Sequence, residues 1–196
     1  LVLIRYSLWL RRAIAAAAFV VAALAFPQAV LAGISVSGNI TSNTTWAVAD
    51  SPITVTGNVT VDAGVTLTVE PGVTVKFDSG KALDINGTLM AQGTSGSKIT
   101  FTSSAASPAA GAWKFIRFNA SSAPASFDGS GNYLSGSIFQ YCTVEYAGSG
   151  TPSGPAMNLG GVSPFIDNCI IRHHADGAIE GSFLAGVTVK ITNNTT

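Results

Sequence analysis

Between residues 53 and 101 apolar side chains fall on alternate positions in short bursts. Ile53 and Val55 come first, then Val59 and Val61, then Val65, Leu67 and Val69, then Val73, Val75 and Phe77, with Thr or Lys between them. A period of two puts one set of side chains on a single face, the mark of short half-buried strands. Gly57-Asn58, Ala63-Gly64, Glu70-Pro71-Gly72, Asp78-Ser79-Gly80 and Asn86-Gly87 separate the bursts. These residues tolerate or impose turn dihedrals, so each strand is expected to end on a corner.

Such strands either fold back as hairpins or return as successive rungs. Hairpins need tight turns of defined type, which Asn58 and Asn86-Gly87 would supply. Against them, a similar unit comes back after three strands, about 20 to 26 residues on. Val73-Thr-Val75 resembles Ile53-Thr-Val55, which would set Val55 beside Val75, and Leu83-Asp-Ile85 resembles Val59-Thr-Val61. A three-strand repeat of that length is what a parallel winding gives, each turn of chain stacked about 4.8 Å above the last. A short strand cannot bury its apolar side alone. Stacked turns build one continuous core and pair each strand's backbone with the layers above and below. The expected fold is therefore all-β, a parallel β-helix, which is a single-stranded solenoid.

Residues 33–52 are mostly polar, with Ile34, Val36, Ile40, Trp46 and Val48 as apolar points, and fit an N-terminal cap in which Trp46 seals the first coil. Residues 53–196 are read as the coils. Residues 103–111 and 119–137, rich in Ser, Ala, Pro and Gly, read as two loops thrown out of the winding, with Trp113, Phe115, Ile116 and Phe118 as an apolar rung between them. Loops that leave a rigid scaffold are where function concentrates. Residues 137–146 and 164–173 read as consecutive copies of one coil position. Aligning Cys142 with Cys169 sets Phe139 against Ile166, Val144 against Ile171, Glu145 against Arg172 and Tyr146 against His173. Parity then points Cys142, Val144 and Tyr146 inward, and Glu145 and Arg172 outward as an exposed pair. Residues 156–159 and Ala178-Ile179 are the equivalents on another face.

Composition changes the picture at the N-terminus. Arg5, Arg11 and Arg12 precede an apolar run over residues 13–26, and Val30-Leu31-Ala32 offers small residues where a signal peptidase reads. Residues 1–32 are expected to be a secretory signal peptide cut after Ala32. The run is short for a bilayer span, so no membrane attachment is expected after cleavage. The leader holds three of the ten basic residues and none of the ten acids, leaving seven against ten, a net charge of about −3. That provides no basic patch for nucleic acid. With only 10% charged residues, and Thr, Ser, Gly and Asn abundant, the chain suits an extracellular or cell-surface β-protein. It opens on Leu1 and stops at Thr196 just after a strand-like stretch at 187–191, and is read as a solenoid incomplete at its C-terminus.

Val65-Thr-Leu-Thr-Val-Glu-Pro-Gly-Val-Thr-Val-Lys-Phe77, Asn86-Gly-Thr-Leu89, Ile138-Phe-Gln-Tyr-Cys-Thr-Val-Glu-Tyr146 and Asp167-Asn-Cys-Ile-Ile171 carry a resemblance. Over about residues 35–196 the chain resembles secreted bacterial proteins with right-handed parallel β-helix repeats on the pectate-lyase-like scaffold. The resemblance implies a right-handed winding and says little about function, because that scaffold hosts lyases, hydrolases and adhesins. Its catalytic members place acids or bases on one face of the central coils, and nothing here matches a lyase or galacturonase motif. The expectation is a secreted or cell-surface scaffold that binds carbohydrate or mediates attachment, with a polysaccharide or cell-surface glycan as partner. The competing expectation is a polysaccharide lyase or glycoside hydrolase.

Titratable residues cluster in one place, Arg172, His173, His174 and Asp176, with Glu180 beyond. A glycosidase needs two carboxylates across a cleft, and a lyase needs a base beside a charge neutraliser. Arg172, His174, Asp176 and Glu180 are the candidate catalytic residues on that ground, while the simpler reading is a corner with Gly177 at the bend. Two adjacent histidines lack a third ligand for a metal, although Asp176 is near in sequence, and no cofactor is expected. Residues 128–132 alternate acidic and amide oxygens as calcium loops do, but lack the glycine at the sixth place and the closing Glu, so they read as a plain turn. Cys142 and Cys169 are expected as buried thiols, since stacked parallel side chains hold sulfurs badly for a disulfide. Asn39, Asn58 and Asn86 head Asn-x-Thr sequons and read first as turn-into-strand transitions.

Overall fold

The computed structural model describes residues 33–149, 154–182 and 190–196, and the expected leader lies outside them. The described chain opens with β1 (Ile34–Ile40) and β2 (Thr44–Trp46). A 3-10 turn at Val48–Asp50 leads into β3 (Ile53–Val61), β4 (Thr66–Val69), β5 (Thr74–Phe77), β6 (Leu83–Ile85), β7 (Thr88–Gln92) and β8 (Ile99–Ser103). After the first loop comes β9 (Ile116–Phe118), and inside the second lie β10 (Ser126–Phe127) and β11 (Tyr133–Ser135). The chain then runs through β12 (Ile138–Gln140), β13 (Cys142–Glu145), β14 (Met157–Leu159), β15 (Phe165–Asp167), β16 (Ile170–Arg172), β17 (Ile179–Gly181) and β18 (Ile191–Thr192).

β10 and β11 form an antiparallel hairpin, and the other described strands pair in parallel. One sheet runs β18-β15-β12-β7-β4-β2; the other runs β16-β13-β8-β5-β3-β6-β9-β14-β17, with β1 also on β3. The long strand β3 belongs to two rows, because Ile53 to Val55 pair with β5 whereas Val59 to Val61 pair with β6. Gly57-Asn58, expected as a turn between two strands, instead lies inside β3 where these rows part. The chain thus visits three rows of parallel strands in a fixed rotation. This is an all-β molecule of curled parallel sheets, compatible with a solenoid-like winding. No helix among the described residues is long and apolar enough to cross a membrane.

Register follows the expected repeat with one correction. Val59 lies opposite Leu83 and Leu67 opposite Leu89, offsets of 24 and 22. Phe139 faces Ile166, Val144 faces Ile171, Glu145 faces Arg172 and Met157 faces Ile179, as the aligned copies require. Val55, however, lies opposite Phe77, and Val75 opposite Ile53. The repeat there is therefore 22 residues rather than 20. An even slip keeps every side chain on its own side, so the inward set is unaltered. At the corner after β6 glycine is required, because a Cβ on Gly87 would lie 2.2 Å from the Val65 carbonyl oxygen and 2.3 Å from that of Asp62.

The interior is built of columns. Ile53, Val75, Phe101, Val144 and Ile171 stack through successive pairings, all fully buried. A second column joins Trp46, Val69, Ala91, Phe139 and Ile166, small Ala91 sitting beside large Phe139. Phe139 in turn meets Phe101 at 5.2 Å between ring centres, and Phe77 stacks flat on Trp113 at 4.0 Å. Each such side chain contributes about 1.5–3 kcal/mol by leaving water.

Candidate functional site

At the corner after β16 two of the titratable candidates, Arg172 and His174, are tied to structural partners. Arg172 Nε donates to Glu145 Oε1 at 2.7 Å, and its Nη2 bonds the same oxygen. Thr102 Oγ1 donates to Glu145 Oε2 at 3.3 Å, so that carboxylate bridges three consecutive strands. His173 is exposed and lies flat on Tyr146 at 5.1 Å; both hold left-handed backbones, at φ 55° and 63°. Tyr146, expected inward, is half-buried and packs against the core. His174 Nδ1 lies 2.9 Å from the Asp176 carbonyl oxygen, which makes it the donor. Asp176 and Glu180 are exposed, and Glu180 sits on β17 opposite Asn158. Among the described residues no hydrogen bond or ion pair joins the carboxylates of Asp176 and Glu180 to each other, to Arg172 or to His174. Nor do three His, Cys, Asp or Glu side chains there converge as metal ligands.

Other polar candidates are likewise engaged. Asp128 Oδ1 accepts from the N–H groups of Ser130 and Asn132 at 2.9 and 2.8 Å, and Oδ2 from Asn132 Nδ2 at 2.9 Å. The Asn132 side chain first, and then these N–H groups, hold its carboxyl below the usual value. Asn58 Oδ1 accepts from the Ala82 N–H at 3.2 Å, Asn86 Oδ1 from Asn119 Nδ2 at 2.8 Å, and Asn39 Nδ2 donates to Asp62 Oδ1 at 2.9 Å. Cys142 and Cys169 are buried free thiols; Cys142 Sγ donates to the Gln140 carbonyl at 3.3 Å and Cys169 Sγ to that of Phe139 at 3.2 Å. Burial pushes the Cys142 thiol well above its ordinary value.

Two arrangements are absent from the sequence reading. The first is a ladder of side chains across the six-stranded sheet. Gln92 Nε2 donates to Gln140 Oε1 at 3.2 Å, and Gln140 Nε2 to Asp167 Oδ2 at 2.8 Å. Asp167, 6% exposed, also accepts from Asn168 Nδ2 at 2.7 Å, Thr192 Oγ1 at 2.6 Å and Asn193 Nδ2 at 3.0 Å. Burial alone would raise its carboxyl, but these four donors together outweigh burial and hold it below the ordinary range. The signal lay in Gln92, Gln140 and Asp167 recurring 48 and 27 residues apart, and the two loops between Gln92 and Gln140 hid the first spacing.

The second is an aromatic cluster outside the same sheet. Phe127 and Tyr133 of the hairpin lie 5.3 and 6.2 Å from Phe165, and Lys190 Nζ stands 4.8 Å from the Phe127 ring while donating to the Gly131 carbonyl at 2.8 Å. The second loop thus folds onto the outward column of Ile138 and Phe165, both buried. At the N-terminal edge a cleft of about 350 Å³ is lined by Val36, Ile40, Trp46 and Val59 with Ser35, Ser37 and Thr44. Trp46 itself is 2% exposed, as the core residue expected of it. No protein-family model, no curated protein and no solved structure matches this chain.

Proposed function

We propose that the protein is a secreted right-handed parallel β-helix whose outer faces bind polysaccharide or a cell-surface glycan, with attachment rather than catalysis as its work. The observation that carries this reading is the in-register display of hydrogen-bonding side chains. Thr54, Lys76, Thr102, Glu145 and Arg172 form one outward column, and Gln92, Gln140, Asp167 and Thr192 another. Each column repeats at the strand spacing of about 4.8 Å on a backbone bonded from both sides. A rigid periodic array of donors and acceptors fits a ligand that is itself periodic and rich in hydroxyls. Export is supported by the basic, apolar and small-residue order of residues 1–32.

The reading is tested on the full chain with a glycan array and an assay for unsaturated sugar release from polygalacturonate. Binding without turnover is the expected result. Release of unsaturated sugar that disappears in His174→Ala or Asp176→Ala would overturn it in favour of a polysaccharide lyase.

A further inference from the structure

At the corner between β12 and β13 stands Tyr141, half-buried, with a left-handed backbone at φ 49°. The same corner in the next two rungs is occupied by Asn168 and Asn193, at φ 53° and 54°. Asparagine visits that conformation readily because its short polar side chain bonds locally, whereas a bulky aromatic is disfavoured there. Strained backbone of this kind clusters at binding and active sites. No hydrogen bond among the described residues engages the Tyr141 hydroxyl, and no buried side-chain oxygen there is without a partner, so the hydroxyl reaches the surface.

Tyr141 directly follows Gln140 in the chain, so its corner adjoins the end of the strand that carries the middle of the amide ladder Gln92, Gln140 and Asp167. On the far side of that ladder the β10–β11 hairpin is seated over Phe165, two residues before Asp167 on the same outward side of β15. The ladder is therefore flanked by an aromatic corner and by an aromatic hairpin. Lys98 precedes Ile99, whose N–H bonds the Tyr141 carbonyl at 3.2 Å, so one cation stands at this corner and one carboxylate, Asp167, in the ladder. With Lys190 and Asp128 of the hairpin counted as well, two cations stand against two carboxylates, and the strip as a whole carries no net charge.

We infer that Tyr141 and the Gln92–Gln140 ladder form a binding strip for a neutral polysaccharide, the ring stacking on a sugar and the amides meeting hydroxyls as both donor and acceptor. This rests on the carbohydrate reading above and goes further in naming the surface and the ligand class. A carboxylated polymer would find no cation among the ladder side chains Gln92, Gln140 and Asp167, and an apolar one would strand the amides.

Affinity electrophoresis of the full chain through hydroxyethylcellulose, a galactomannan and polygalacturonate tests it, with Tyr141→Asn as the principal variant. That substitution installs the residue carried by the two following rungs, so the melting temperature is expected to hold or rise. Retardation by at least one neutral polymer, weakened tenfold or more by Tyr141→Asn and clearly by Gln140→Ala but not by Arg117→Ala on another row, is the expected result. Tyr141→Asn migrating as wild type does, or retardation by polygalacturonate alone, overturns the strip and leaves the broader carbohydrate reading standing. Failure to bind any polymer, together with a blank glycan array, removes both.

Discussion

Asp167 is a carboxylate that the fold has surrounded with donors from two strands and two corners, and its depressed pKa ties stability to pH with a definite sign. Its bonds are strongest when it is ionised, so their contribution is complete above its unfolded value and is lost as pH falls through the lower folded one. The wild-type melting temperature is expected to fall below about pH 4, with a shallower acid limb in Asp167→Asn. At neutral pH Asp167→Ala, which leaves Gln140, Thr192 and Asn193 without their acceptor, is expected to cost about 1–3 kcal/mol by denaturant titration. Identical acid limbs in wild type and Asp167→Asn would show that another group controls the transition. At this scale the sequence was read for chemistry at Arg172, His174, Asp176 and Glu180, because charged residues close in sequence attract notice. The structure engages Arg172 with Glu145 and His174 with a carbonyl, while the denser network, at Asp167, gathers residues from distant parts of the chain.

The strands were legible because alternation survives any even slip, which is why Val75 kept its inward side although its partner is Ile53 rather than Val55. What alternation could not convey was an apolar residue on the outward side. Ile138 and Phe165 occupy positions where Thr68 stands two and three strands earlier, and they make sense only once the β10–β11 hairpin is laid over them. That covering gives the second loop a packing role, and Phe127→Ala is the substitution that reports on it. A loss of about 1–2 kcal/mol is expected, together with increased binding of an apolar dye as Phe165 becomes accessible. An unchanged melt and unchanged dye binding would mean that the hairpin merely rests against the sheet.

Over the whole molecule the core is continuous from Trp46 to Ile171, with Phe101 near its middle between Val75 and Val144. Phe101→Ala is expected to cost about 3–5 kcal/mol by chemical denaturation, since removing it also strips Phe139 of its ring partner. A cost under about 1 kcal/mol would contradict a fully packed interior. The parallel arrangement was legible from the return of like units, and the two long loops obscured it only locally. The chain leaves after β8 and again after β9, yet Ile116 comes back opposite Leu83 and Ile138 opposite Met90 as though nothing had intervened. Segment length at those two exits is therefore independent of the scaffold's pitch, and a foreign peptide spliced into residues 104–110 would be presented at a fixed height on an unaltered frame. The molecule can change what it shows to its surroundings without relearning how to fold.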